Sequence, residues 1–101
     1  MKILPEPLAF QWDKGNIFKN IEKHNVTAQE AEEVFANDPF IVSEDAKHSE
    51  QEQRFYGLGQ TKTSRRLFVA FTIRDKKIRV ISIRDMKKKE RGIYERLEKD
   101  S

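Results

Sequence analysis

The chain has no cysteine, a single tryptophan, three prolines and four glycines in 101 residues. Without a thiol there is no disulfide framework, no thiolate nucleophile and no cysteine-based zinc or iron–sulfur site. The same lack fits a reducing compartment. Long apolar runs are missing too. None approaches the roughly 20 residues that a membrane-spanning helix needs, and Met1-Lys2-Ile3-Leu4-Pro5 lacks the apolar stretch of a secretory signal. A soluble cytoplasmic domain is therefore expected. Glycine and proline are scattered, with no linker, repeat or low-complexity tract. The chain reads as one domain over residues 1–101, with 1–7 the candidate disordered stretch. No glycine-rich phosphate loop or nucleophile elbow is present, and Gly57-Leu58-Gly59 is too short for a nucleotide motif. The two histidines, His24 and His48, have no cluster of further ligands around them, so neither metal nor cofactor is expected.

What the chain has in plenty is charge, and it is unevenly spread. Residues 1–61 carry 6 basic and 11 acidic side chains, whereas residues 62–101 carry 14 basic and 6 acidic. A basic half on a small domain is the electrostatic footprint of a phosphate-bearing or acidic partner, or simply a lysine-rich solvated surface.

Hydrophobic periodicity predicts the elements. Leu8, Phe10 and Trp12 alternate as in a short strand over 8–12. Asp13 is placed to cap a helix over 14–24 with Ile17, Phe18 and Ile21 as its apolar stripe, and Asn25 suits the left-handed position past its end. Thr27-Ala-Gln-Glu30 is a capping box opening a helix over 28–36 that buries Ala31, Val34 and Phe35. Four strands follow, at 40–43, 54–58, 67–73 and 77–84, the last two joined by a hairpin turn at Arg74-Asp75-Lys76. Leu67-Phe-Val-Ala-Phe71 is apolar at both parities, as in a central strand. A last helix is expected over 86–98, capped by Asp85, with Met86, Ile93 and Leu97 inward. The order β-α-α-β-β-β-β-α is an α+β fold, an antiparallel sheet packed with two N-terminal helices and a C-terminal one.

Several side chains offer chemistry. Arg79 and Arg84 lie at opposite parities of one strand, so a regular strand points them to opposite faces, and only a bulge or an escape at the strand end brings both to one site. Each also reads as a rim arginine paired with a carboxylate. His24 continues the stripe of Ile17 and Ile21 at a helix end. There it is either a histidine stabilised by the helix dipole or a general acid or base near neutral pH. His48 reads as a loop residue. Lys87-Lys88-Lys89 crowds cations at a helix start, where an anion would be welcome.

Three ordered blocks resemble the BrnT toxin family. The first is Phe10-Gln-Trp12-Asp13, Asn20-Ile-Glu-Lys23-His24-Asn-Val26, Glu30-Ala31 and Val34-Phe35. The second is Asp45-Ala-Lys-His48-Ser49-Glu-Gln-Glu52-Gln-Arg54-Phe55, running to Leu58-Gly59. The third is Arg66-Leu67 through Phe71, Ile78-Arg79-Val-Ile81-Ser82-Ile-Arg84, and Glu90-Arg91 with Tyr94. Together they cover roughly residues 8–97. The resemblance implies a RelE-like fold and the toxin half of a type II toxin–antitoxin pair. It implies a metal-independent endoribonuclease that cleaves mRNA, on the ribosome or free of it, and arrests translation. It implies too a BrnA-type antitoxin that wraps the toxin and binds operator DNA as the complex. The chain departs from the family pattern at Asn16, Asn25, Ile83, Asp85 and Met86, and Asp85 brings a negative charge toward the expected RNA site.

RNA cleavage by 2′-hydroxyl attack needs a base, cations for the phosphorane and an acid for the leaving oxygen. Arg79 and Arg84 are expected to hold the developing charge, with Arg54 on the adjacent strand. Lys23, His24 and Glu52 are the candidates for proton transfer. Tyr94, Lys87, Lys88 and Arg91 are the remaining RNA-binding candidates, Tyr94 as a stacking ring or, alternatively, a core tyrosine. A second reading keeps the basic face but not the catalysis: a binding module for antitoxin or nucleic acid.

Overall fold

In the computed structural model the described residues are 4–15, 23–48 and 52–99. They form helix α1 (Ala28–Ala36), strands β1 (Ile41–Glu44), β2 (Arg54–Gln60), β3 (Arg66–Arg74) and β4 (Lys77–Asp85), and helix α2 (Lys88–Lys99). The strands make one antiparallel sheet in the order β1-β2-β3-β4. The fold is α+β, and among the described residues no helix is long and apolar enough to cross a membrane.

Helix α1 has the expected bounds because its start is chemically fixed. The Thr27 hydroxyl accepts the Glu30 N–H at 3.1 Å, and Glu30 accepts the Thr27 N–H at 3.0 Å. Its buried Ala31, Val34 and Phe35 pack on the sheet face made by Phe55, Leu67, Val69, Phe71, Ile78, Val80 and Ile83. Phe35 is the centre of that core, with ring centroids 4.9 Å from Phe71, 4.8 Å from Phe40 and 5.4 Å from Phe10. Gly57 and Gly59 of β2 make the packing possible. A Cβ on Gly57 would run into the Phe40 ring, and one on Gly59 would lie 2.7 Å from Val34. The pair serves close packing.

Three expectations change. Residues 8–12 do not form a strand: Phe10 makes a single parallel bridge to Ile78, with Ile78 N–H to Ala9 C=O at 2.7 Å and Gln11 N–H to Ile78 C=O at 2.8 Å. Aromatic packing of Phe10 on Phe35 holds the segment, rather than a ladder. The helix expected over 14–24 falls mostly outside the described residues, as do residues 1–3; Lys14–Gly15 and Lys23–His24 are helical. Leu4 packs against the core. Asp85 does not cap the last helix. It closes β4, and Glu90 takes the capping task by accepting the Lys87 N–H at 2.8 Å, so α2 begins at Lys88. Finally, Ile93 and Leu97 face solvent and Tyr94 turns inward, fully buried, donating to the Pro39 carbonyl at 2.7 Å.

Candidate nucleic-acid interface

The hairpin β3–β4 carries the feature that decides where the arginines point. Ala70 pairs with Ser82 but Phe71 pairs with Val80, so Ile81 is an extra residue, a β-bulge in β4. Parity reverses there. Arg79 lies opposite Thr72 and Arg84 opposite Phe68, and these two β3 residues share a face. Both arginines therefore stand on the sheet face away from α1.

Register orders that face into rows. Arg54, Thr72 and Arg79 form one row across β2, β3 and β4. With strands about 4.8 Å apart, the two arginine backbones lie about 10 Å from each other, the span of one RNA phosphate with a guanidinium on each side. The next row is Ser43, Tyr56, Ala70 and Ser82, and the third is Ile41, Leu58, Phe68 and Arg84. The Tyr56 and Phe68 rings sit 5.4 Å apart, and the Arg84 guanidinium lies over Phe68 at 4.1 Å. Helix α2 is tied to this face at its far end, through Arg84–Glu90, Arg66–Glu95, Arg66–Glu98 and Gln60–Glu98. The Arg54–Arg79 end carries none of these ties.

Charges around the Arg54–Arg79 row are paired but reachable. Arg79 donates to Asp13 at 2.9 Å, both partly exposed. Glu52 holds Arg74 through two bonds of 2.9 Å, and this contact keeps the Glu52 carboxyl below its ordinary value, with Arg79 adding to the effect. Thr72 donates to the Gln53 carbonyl at 2.7 Å and fixes the segment that carries Glu52. The Tyr56 hydroxyl is held by the buried Asp45 carboxylate. That bond, with some desolvation, raises the phenol, while nearby Arg54 opposes it.

The structure thus brings Arg54, Arg79 and Glu52 together and sets Arg84 four β3 residues away on the same face, about 13 Å. It does not bring Lys23 and His24 there. Arg65 donates to the carbonyls of His24 and Asn25 at 3.1 and 2.8 Å and pairs with Asp85 at 2.8 Å. Asp85 pairs in register with Leu67, on the opposite face and five β3 residues from Thr72, roughly 17 Å from the arginine row. Asn25 takes the left-handed conformation expected of it, φ 54°. Asp85 does not load negative charge onto the Arg79 site: Arg65 neutralises it and holds its carboxyl below the ordinary value. Ile83 and Met86 are buried core residues. Arg84 is gripped by Glu90 through bonds of 2.8 and 3.0 Å. Tyr94 lies in the core, out of reach of a base. Lys87, Lys88 and Arg91 line the start of α2, with Arg91 donating to the Met86 carbonyl at 3.2 Å. His48 ends a short 3-10 turn, Ala46–His48. Among the described residues, no three His, Asp or Glu side chains gather as metal ligands.

Sequence reasoning gave no site role to Tyr56, Phe68, Thr72, Asp13 or Asp45. The alternation Arg54-Phe-Tyr56-Gly-Leu58 does signal which β2 side chains share a face. Joining them to Phe68 and Arg84 requires the bulge.

A basic, ring-bearing sheet face of this kind gains its meaning from what the chain is similar to. The family model for "Ribonuclease toxin, BrnT, of type II toxin-antitoxin system" matches residues 12–90. The chain belongs to the BrnT family of ribonuclease toxins. No curated protein matches it significantly. The matched span runs from Trp12 to Glu90, so all of the arginine face of the toxin, from Asp13 to the Arg84–Glu90 pair, lies within it. A type II toxin of this family has an antitoxin as its partner.

Proposed function

We propose that this toxin is a RelE-like, metal-independent endoribonuclease that cleaves mRNA at the Arg54–Thr72–Arg79 row and is neutralised by a BrnA-type antitoxin. The observation that carries the site is the register: Arg54 and Arg79 flank Thr72 in one row across the sheet, with the Glu52 carboxylate beside them. A scissile phosphate seated between Arg54 and Arg79 meets forked donors suited to the extra charge of the phosphorane. The Glu52 carboxylate, ionised across the neutral range, accepts the 2′-hydroxyl proton. The 2′-oxygen bonds to phosphorus, the bond from phosphorus to the 5′-oxygen breaks, and that oxygen takes a proton from solvent or a nearby acid. The products are a 2′,3′-cyclic phosphate and a 5′-hydroxyl. Tyr56 and Phe68 give unpaired bases an aromatic surface on the same face.

Arg79 is engaged by Asp13 in the free chain, so RNA must displace a carboxylate to enter, and Arg84 is engaged by Glu90 in the same way. A modest rate on free RNA follows, with positioning by a larger assembly supplying the rest. The experiment incubates the purified chain with a single-stranded RNA in excess chelator and reads the ends formed. Cyclic phosphate and 5′-hydroxyl ends are expected. Cleavage that needs a divalent ion, or ends carrying a 5′-phosphate, would contradict the proposal.

A further inference from the structure

Helix α2 presents a surface whose chemistry the ribonuclease site does not use. Its three glutamates all turn toward the sheet: Glu90 to Arg84 at 2.8 Å, Glu95 to Arg66 at 2.7 Å and Glu98 to Arg66 at 2.9 Å. Tyr94 between them is fully buried. The opposite side is left with cations and apolar carbon. Lys89, Ile93 and Leu97 follow one another at four-residue spacing and Arg96 lies three residues after Ile93, so the four share one stripe. Ile93 and Leu97 are 42% and 41% exposed, and among the described residues Lys89 and Arg96 make no ion pair. Gly92 adjoins the stripe in the middle of the helix. A Cβ there would meet nothing within 4 Å, so no packing in this chain requires glycine at a position where it weakens the helix relative to alanine. Its bare backbone lets another chain approach closely.

We infer that the Lys89–Ile93–Arg96–Leu97 stripe of α2, with Gly92 beside it, is a docking surface for the antitoxin, which meets it with an acidic amphipathic segment. Charge complementarity selects that occupant. A second copy of this chain would bring lysines and arginines against lysines and arginines, and RNA bases stack on planar rings, whereas Ile93 and Leu97 are branched aliphatic side chains. A segment with an apolar stripe flanked by Asp and Glu satisfies both halves of the surface. The Arg54–Arg79 row stands on the sheet face and not on this stripe. The inference rests on the antitoxin partner that the family brings, and not on the RNA chemistry.

The test uses the full chain and its antitoxin, purified separately, with affinity measured for wild type, Ile93→Glu/Leu97→Glu and Lys89→Glu/Arg96→Glu. All four positions are solvent-facing, and thermal melts verify that each variant folds. Both variants should lose at least about tenfold in affinity, the loss expected for a buried contact worth more than the energy of one order of magnitude. They should keep wild-type cleavage of RNA, and wild-type binding should weaken with salt. Antitoxin affinity unchanged in both variants would overturn the inference. So would a wild-type dimer that Ile93→Glu/Leu97→Glu converts to monomer, because the stripe would then serve self-association. Loss of RNA cleavage with antitoxin binding intact would assign the stripe to substrate instead. A chain that binds antitoxin through this stripe but cuts no RNA would contradict the ribonuclease site alone.

Discussion

Tyr94 fixes how α2 sits on the sheet. Its ring is fully buried, its hydroxyl donates to Pro39, and the Arg66 guanidinium stacks on it at 5.6 Å from the ring centre. Burial pushes its phenol up to about 12 from an ordinary 10, with Glu98 assisting. The folded state therefore binds the phenol proton more tightly than the unfolded state does. The stabilisation is complete below pH 10 and is lost as pH rises from 10 toward 12. A Tyr94→Phe variant should be less stable at neutral pH by about 1–3 kcal/mol, because the Pro39 carbonyl loses its donor. It should also lose most of the alkaline drop, as read by melting temperature against pH. The glycines of β2 carry a second residue-scale prediction. Gly57→Ala forces a Cβ into the Phe40 ring and should cost about 1–3 kcal/mol in denaturant unfolding, with the register unchanged.

At the scale of elements, local chemistry was legible wherever it acts through near neighbours. The Thr27–Glu30 box sets α1 at the bounds it has, and the doubly apolar Leu67–Phe71 run marks β3, which lies between β2 and β4. The Arg74–Lys77 pair confirms the short turn, with Asp75 and Lys76 both left-handed at φ 54° and 61°. Lys76→Gly should relieve that conformation and raise stability by up to about 1 kcal/mol in a thermal melt. Two features escaped for a physical reason. The Ile81 bulge inserts one residue into a run of alternating apolar and polar side chains, and composition carries no mark of it, yet it decides that Arg79 and Arg84 share a face. On α2, Ile93 and Leu97 have the spacing of a buried stripe. Ion pairs from Glu90, Glu95 and Glu98 to sheet arginines turn the helix the other way. Of the candidate site, Arg54, Arg79 and Glu52 converge; Lys23 and His24 do not, because Arg65, paired with Asp85, holds the His24 backbone at the opposite corner.

Across the whole molecule, the uneven charge is organised by carboxylates that hold arginines. Glu30, Glu52, Asp85 and Glu90 all sit below their ordinary values. Glu30 is lowered chiefly by the Thr27 backbone N–H, then by Arg65; Asp85 is lowered chiefly by Arg65. For Glu90, partial burial acts upward and is outweighed by Arg84 and the Lys87 N–H together. These groups stabilise the fold above their ordinary values of 4.5 and 3.8, and the contribution is lost as pH falls below them. An Arg65→Met variant should consequently show its largest deficit at neutral pH. The gap to wild type should close in acid, as followed by urea unfolding between about pH 7 and pH 3.

The most direct measurement of the account is RNA cleavage by purified Arg79→Ala, Arg54→Ala and His24→Ala variants, each with its melting temperature, alongside growth after expression of each chain alone. The arginine row predicts that Arg79→Ala and Arg54→Ala stay folded and lose about 100-fold or more in rate, with growth arrest abolished. His24→Ala should cut RNA as wild type does. A folded Arg79→Ala that cleaves normally, or a folded His24→Ala that does not cleave, would contradict the placement of the active site on this face.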